Sequence, residues 1–211
     1  MKDFTVLTYN CRGLNNHFKR RKLFLWLKQQ KCDVILLQET FCTEKLIPFL
    51  KSNWKGKIEN CLSDSSHCRG VSVLFCDGFV GTVLKKYESK DGRILIVDVK
   101  INDDMIHIVT VYAPNTETDR ISFYENLSEI IVKQCDNLNN VILGGDFNTC
   151  LTKNDRYPTT NHNDKSIITL RRLLTKCTLT DTWQSKNNNK PGYTYHDKKN
   201  KCHSSLKRYK I

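Results

Sequence analysis

Short apolar runs, each closed by polar or turn-forming residues, recur along most of the chain. Residues 4–9 are β-branched and aromatic and predict a buried strand that ends at Asn10. After the turn signals Gly13, Asn15 and Asn16, residues 19–30 carry Leu23, Phe24 and Leu27 at helical spacing among basic residues, which predicts an amphipathic helix. A second unbroken apolar run, 34–37, is closed by Gln38 and Glu39. Three more strands are legible at 71–75, 94–101 and 106–112, the last two joined by a hairpin signal at Asn102-Asp103-Asp104. Thr118 is a candidate cap for a helix whose inward stripe includes Ile121, Tyr124, Leu127 and Ile131. Residues 141–143 predict a short buried strand stopped by Gly144-Gly145, and 166–176 a helix with Ile167, Leu170, Leu173 and Leu174 inward. Residues 179–183 lead back to the core, and from Gln184 the chain turns polar.

Strands and helices alternate unevenly, with long hairpin-connected strands in the middle. That favours an α/β (α+β) four-layer sandwich, two packed and mainly antiparallel sheets flanked by helices, over a doubly wound parallel sheet. The 211 residues suit one compact domain, 1–211, and 39% apolar content suffices for a sizeable core.

Charge changes this picture. The net +12 points to a polyanionic partner, but residues 186–211 hold eight Lys/Arg against the single acid Asp197, so over half of the excess sits in a basic tail. A second cluster, Lys19-Arg20-Arg21-Lys22, opens the first helix, where cations oppose the helix dipole; a phosphate contact and a solvated helix end both account for it. Ten cysteines at irregular spacing, without any C-x-x-C, read as free thiols. No apolar stretch reaches membrane-helix length and the start lacks a signal-peptide core, so the expected setting is intracellular, in cytoplasm or nucleus, with no membrane partner and no obligate protein partner inferable.

Four of the apolar runs end in polar residues that a strand does not need: Asn10, Glu39, Tyr112, and Asp146 with Asn148 beyond the glycine pair. Should those ends share one edge of a sandwich, an amide, two carboxylates and a phenol converge. A hard-oxygen site for Mg²⁺ asks for one or two carboxylates plus water and phosphate oxygens, and attack on phosphorus asks for an oriented water. Each residue also has a plainer reading: Asn10 and Asp146 as turn formers, Glu39 as a solvated strand end, Tyr112 as a half-buried strand aromatic.

The segments Thr8-Tyr9-Asn10-Cys11-Arg12-Gly13, Leu36-Leu37-Gln38-Glu39-Thr40, Val111-Tyr112-Ala113-Pro114-Asn115 and Gly144-Gly145-Asp146-Phe147-Asn148 resemble, in order, the successive motifs of the endonuclease/exonuclease/phosphatase superfamily. Asp181-Thr182-Trp183 followed by Tyr193-Thr194-Tyr195 resembles the LINE-type non-LTR retrotransposon endonuclease branch. The resemblance implies that Glu39 ligates Mg²⁺ with help from Asn10, with Mn²⁺ as a candidate substitute. It further implies that Asp146 positions or activates the attacking water and that Asn148 and Tyr112 bond phosphate oxygens. Arg12, Asn115 and Thr194 would contact substrate or DNA backbone. The implied reaction nicks DNA and leaves a 3′-hydroxyl.

The family pattern next expects Ser-x-x-Asp and a final Ser-Asp-His. Lys207 stands where the first acid is expected, and the chain stops at Ile211 without the terminal pair. The expectation is therefore a domain incomplete at its C-terminus, lacking its final strand or strands, marginally stable and weakly active. None of the six histidines reads as a substitute for the missing general acid/base. Two other functions fit: a phosphatase of the same superfamily acting on inositol phosphates or lipid headgroups, and a non-catalytic nucleic-acid-binding remnant.

Overall fold

A computed structural model describes residues 4–152, 155–157, 163–187, 195–197, 202–204 and 209–210. The chain divides into two compact units, Met1–Tyr112 and Ala113–Ile211.

The first unit runs β1 (Val6–Asn10), α1 (His17–Gln29), β2 (Val34–Gln38), α2 (Ile47–Asn53), β3 (Ile58–Cys61), β4 (Val71–Phe75), β5 (Thr82–Glu88), β6 (Ile94–Ile101) and β7 (Asp104–Tyr112). One sheet has the order β1-β2-β4-β3, with β1 parallel to β2 and the other pairs antiparallel. β5, β6 and β7 form an antiparallel meander. Alternate residues of β2 feed two cores, which is why this strand reads as an unbroken apolar run. Val34 and Leu36 meet Val73, Phe75, Val97 and Ile108 between the sheets. Ile35 and Leu37 meet Phe24, Leu27, Leu50 and Trp54 beneath the helices. These are the mainly antiparallel packed sheets with flanking helices that the pattern predicts.

Local chemistry sets the element ends. Asn16 caps α1, its side chain accepting from Lys19 N, so the helix opens at His17. The β6–β7 hairpin turns at the predicted place, with Ile101 opposite Asp104 and Asn102 at φ 54°, the left-handed conformation a tight turn needs. β5 escapes the hydrophobic pattern because it is an exposed edge carrying Lys85 and Lys86 outward, held by its ladder to β6. The short α2 and β3 are likewise beyond what periodicity shows.

The second unit contains α3 (Glu117–Gln134), β8 (Val141–Asp146), β9 (Arg156–Tyr157), α4 (Ser166–Lys176), β10 (Thr180–Asp181), α5 (Thr182–Asn187), β11 (Tyr195–Asp197), β12 (Cys202–Ser204) and β13 (Tyr209–Lys210). β13 pairs antiparallel with β8 and with β10, and β11, β12 and β9 form a small antiparallel sheet. The cap of α3 is Thr116, not Thr118: Thr116 Oγ1 accepts from Asp119 N and donates to Asp119 Oδ2 at 2.7 Å. Starting there also puts Glu117 and Asp119 in the first turn, at the positive end of the helix dipole. Tyr124, Leu127 and Ile131 are buried as predicted, joined by Phe123, whereas Ile121 is only half-buried. No helix among the described residues is long and apolar enough to cross a membrane.

Candidate active site

In the first unit the parallel register Asn10↔Gln38 brings the ends of β1 and β2 out side by side. Asn10 Nδ2 donates to Glu39 Oε1 at 2.7 Å, and Asn10 Oδ1 accepts from Arg12 N at 3.1 Å. The amide thus orients the half-buried carboxylate, and the exposed Arg12 follows directly. Arg12 and Glu39 both adopt left-handed backbone, φ 48° and 50°. Such conformations cost on the order of 1–3 kcal/mol each for a non-glycine residue and persist where surrounding contacts impose them. Here Gly13 N donates to Glu39 O, Leu14 N to Thr40 O and Thr40 N to Gly70 O. Gly70, at φ +81°, is required at this point, because a Cβ there would lie 2.6 Å from Thr40 Oγ1.

Below the pair, buried Gln38 donates to Leu36 O and Thr110 Oγ1 and accepts from Thr8 Oγ1, so the strand end that presents Glu39 is fully hydrogen-bonded. Burial pushes the Cys11 thiol up to about 12, leaving a neutral donor to Gln38 O. Tyr112, the last residue of β7, is buried with the Arg93 guanidinium 5.1 Å above its ring. Arg93 Nη1 also donates to Tyr112 O at 3.0 Å, and burial, followed by the charge of Arg69, lowers the Arg93 pKa. Nothing in the sequence marks Arg93, a lone arginine after Gly92, as the neighbour of this phenol.

In the second unit Asp146 closes β8 with 5% of its surface exposed. Its Oδ1 accepts from Asn148 N at 3.0 Å. Asn148, at φ 49°, donates through Nδ2 to Ala113 O (2.8 Å) and Asn115 Oδ1 (3.0 Å), and Ala113 N donates to Asp146 O. Asp146, Asn148 and exposed Asn115 therefore belong to one hydrogen-bonded loop pair. It rests on residues to which the sequence reading gave no part in the site. The Tyr124 hydroxyl donates to Phe147 O and lies 3.0 Å from Thr149 Oγ1, which pairs with Ser166 Oγ; Ser166 donates to Asp164, and Asp164 pairs with Arg120 at 2.9 Å. Burial raises the Tyr124 pKa well above its ordinary 10. These contacts join positions far apart in sequence, so no local pattern reports them. Thr194 and Lys207 lie outside the described residues.

The donor set of the first unit suits a hard divalent cation. One half-buried carboxylate, oriented by an amide whose own oxygen accepts from Arg12 N, is the kind of hard oxygen ligand that Mg²⁺ accepts while it keeps several waters. The described residues contain no cluster of three or more His, Cys, Asp or Glu that would enclose an ion more completely.

Residues 7–198 match the Endonuclease/Exonuclease/phosphatase family, and the chain belongs to it. It is 33% identical over 192 residues to the transposon TX1 uncharacterized 149 kDa protein of Xenopus laevis, a match spanning 90% of this chain and 14% of that protein. Among solved structures it is similar to the AP endonuclease LMAP of Leishmania major, with a TM-score of 0.80, 15% identity, and coverage of 98% of this chain and 78% of that one. It is also similar to the endonuclease domain of TRAS1, a telomere-specific non-LTR retrotransposon: TM-score 0.68, 16% identity, 98% and 84% covered. At such identities the structural likenesses establish the fold.

Proposed function

We propose that this chain is the Mg²⁺-dependent DNA endonuclease domain of a retrotransposon-like element, cutting one phosphodiester and leaving a 3′-hydroxyl. The observation that carries the reading is the Asn10–Glu39 pair, an oriented carboxylate at paired strand ends in a chain of this family. The relationship to a transposon protein and the fold shared with a retrotransposon endonuclease domain support the element and the substrate, as does the net charge of +12. The family match runs through both units, which supports the reading of 1–211 as one domain.

Glu39, held by Asn10, would be the protein ligand of the cation, which when bound supplies positive charge at the scissile phosphate. Asp146 takes the role of orienting and deprotonating the attacking water. Its Oδ1 is fixed by Asn148 N, and burial keeps it from bulk solvent. Tyr112, with its ring under Arg93, serves as a donor to phosphate oxygens, and Asn148 does so by exchanging its Nδ2 bond to exposed Asn115 for one to phosphate while keeping the bond to Ala113 O. Arg12, Asn115 and Thr194 contact the DNA backbone.

The test is incubation of end-labelled duplex DNA with the protein and Mg²⁺ or Mn²⁺, followed by extension with a DNA polymerase without prior end repair. Nicks that prime synthesis directly are expected. Nicks that prime only after phosphatase treatment, or hydrolysis of inositol phosphates that excess plasmid DNA fails to inhibit, would overturn the reading.

A further inference from the structure

Beside the Asn10–Glu39 pair, and within the same unit, lies a groove of about 530 Å³ lined by Tyr9, Phe18, Lys19, Lys22, Leu23 and Trp26. Its volume is inside the roughly 300–1,000 Å³ of small-ligand clefts. The composition is not that of a solvated helix face. Phe18 is 76% exposed, and Tyr9 and Trp26 are each 40% exposed. Large aromatics are left at the surface although burying them would stabilise the fold.

The cations around them are placed against the helix's own field. Lys19, Arg21 and Lys22 are exposed near the amino-terminal end of α1, whose first turn has no acid. Their neighbour Arg20 is different: it is buried, and its guanidinium donates to Leu14 O and Asn15 O, which fixes the turn into the helix. Lys19 Nζ bonds Arg12 O, linking the groove to the loop that fixes Asn10. Tyr9 and Trp26 pack ring to ring at 5.3 Å, which stiffens the aromatic wall.

We propose that this groove binds unpaired nucleotides of a polynucleotide strand, with bases stacked on Phe18 and the Tyr9–Trp26 wall and phosphates neutralised by Lys19 and Lys22. Aromatic faces interleaved with flexible cations are the chemistry that recognises single strands without regard to sequence, whereas paired bases expose no face to stack on. The adjacency to Glu39 makes the occupant a frayed or flanking single-stranded stretch next to the bond cut. In that one respect the proposal rests on the nuclease reading.

The experiment is fluorescence anisotropy of labelled octathymidylate, octauridylate and a blunt DNA hairpin, titrated with the full chain in chelator so that no turnover intervenes. Single strands of both sugars are expected to bind, because stacking reads no 2′-hydroxyl. Phe18→Ala and Trp26→Ala are each expected to weaken single-strand binding roughly 5- to 100-fold, the equivalent of about 1–3 kcal/mol per stacked base, with little change for the hairpin. Lys22→Glu should weaken both and flatten the salt dependence. Exposed Phe18 is safe to truncate, and a melt checks the fold of each variant. Octathymidylate should also quench Trp emission in the parent but not to the same extent in Trp26→Phe. Folded Phe18→Ala and Trp26→Ala variants with parental single-strand affinity would overturn the proposal. So would self-association through this face that oligonucleotide does not disturb. Glu39→Gln must leave this binding intact, so parental nicking in that variant with retained strand binding refutes the nuclease reading alone.

Discussion

Glu39 stands where the chain leaves β2 in a left-handed conformation, and its carboxylate is aimed by one amide rather than by a charge. Removing the charge while keeping the shape isolates its chemistry: Glu39→Gln is expected to fold normally and to reduce metal-dependent cleavage by about 100-fold or more. Calorimetric titration with Mn²⁺ should show weakened binding in the same variant, and unchanged binding would remove Glu39 from the ion site. The backbone that presents Glu39 can be tested from a neighbour with no chemistry of its own. Gly70→Ala forces a Cβ against Thr40 Oγ1 at a positive φ, so both melting temperature and cleavage should fall. Full stability in that variant would show that the loop accommodates the methyl group.

The elements convey which parts of the site the sequence could reveal. Asn10, Glu39, Asp146 and Asn148, the proposed site residues, stand out in the sequence because each is a polar residue closing or following an apolar run. The layered fold was legible because β2, β6 and β7 are buried at nearly every position. Arg93, Arg120, Tyr124 and Ser166 were not, since an arginine or tyrosine reveals its function only through partners that folding supplies. Edge strand β5 was hidden by its exposure, and the cap of α3 was misplaced by two residues because Thr116 and Thr118 are locally equivalent. The Arg120–Asp164 pair at the start of α4 is nearly buried on both sides. Asp164→Asn leaves that guanidinium without its counter-charge, and a loss of about 3–5 kcal/mol is expected in a denaturant melt.

Buried thiols add a pH dependence at this scale. Burial raises Cys11 and Cys42 from 9.0 to about 12, and Cys61 and Cys177 to about 11. A group whose pKa is raised by folding contributes stability that is complete below its unfolded value and is lost as pH climbs through the folded one. Stability should therefore decline from about pH 9 upward toward 11–12, and Cys11→Ala should soften the decline. A melting temperature flat from pH 9 to 11 would contradict this.

For the whole molecule, family membership, a surplus of twelve positive charges and an oriented carboxylate support the work proposed above, cleavage of a polyanionic backbone assisted by a divalent ion. Duplex affinity should fall steeply and linearly in a log–log plot against salt, as counterion release requires. The most direct measurement is conversion of supercoiled plasmid to open circles by the parent chain, Glu39→Gln and Asp146→Asn, each with Mg²⁺ and with chelator. Nicking is expected only in the parent with Mg²⁺, with each variant slower by about two orders of magnitude or more. Nicking that survives chelation, or that both variants carry out at the parental rate, would contradict it.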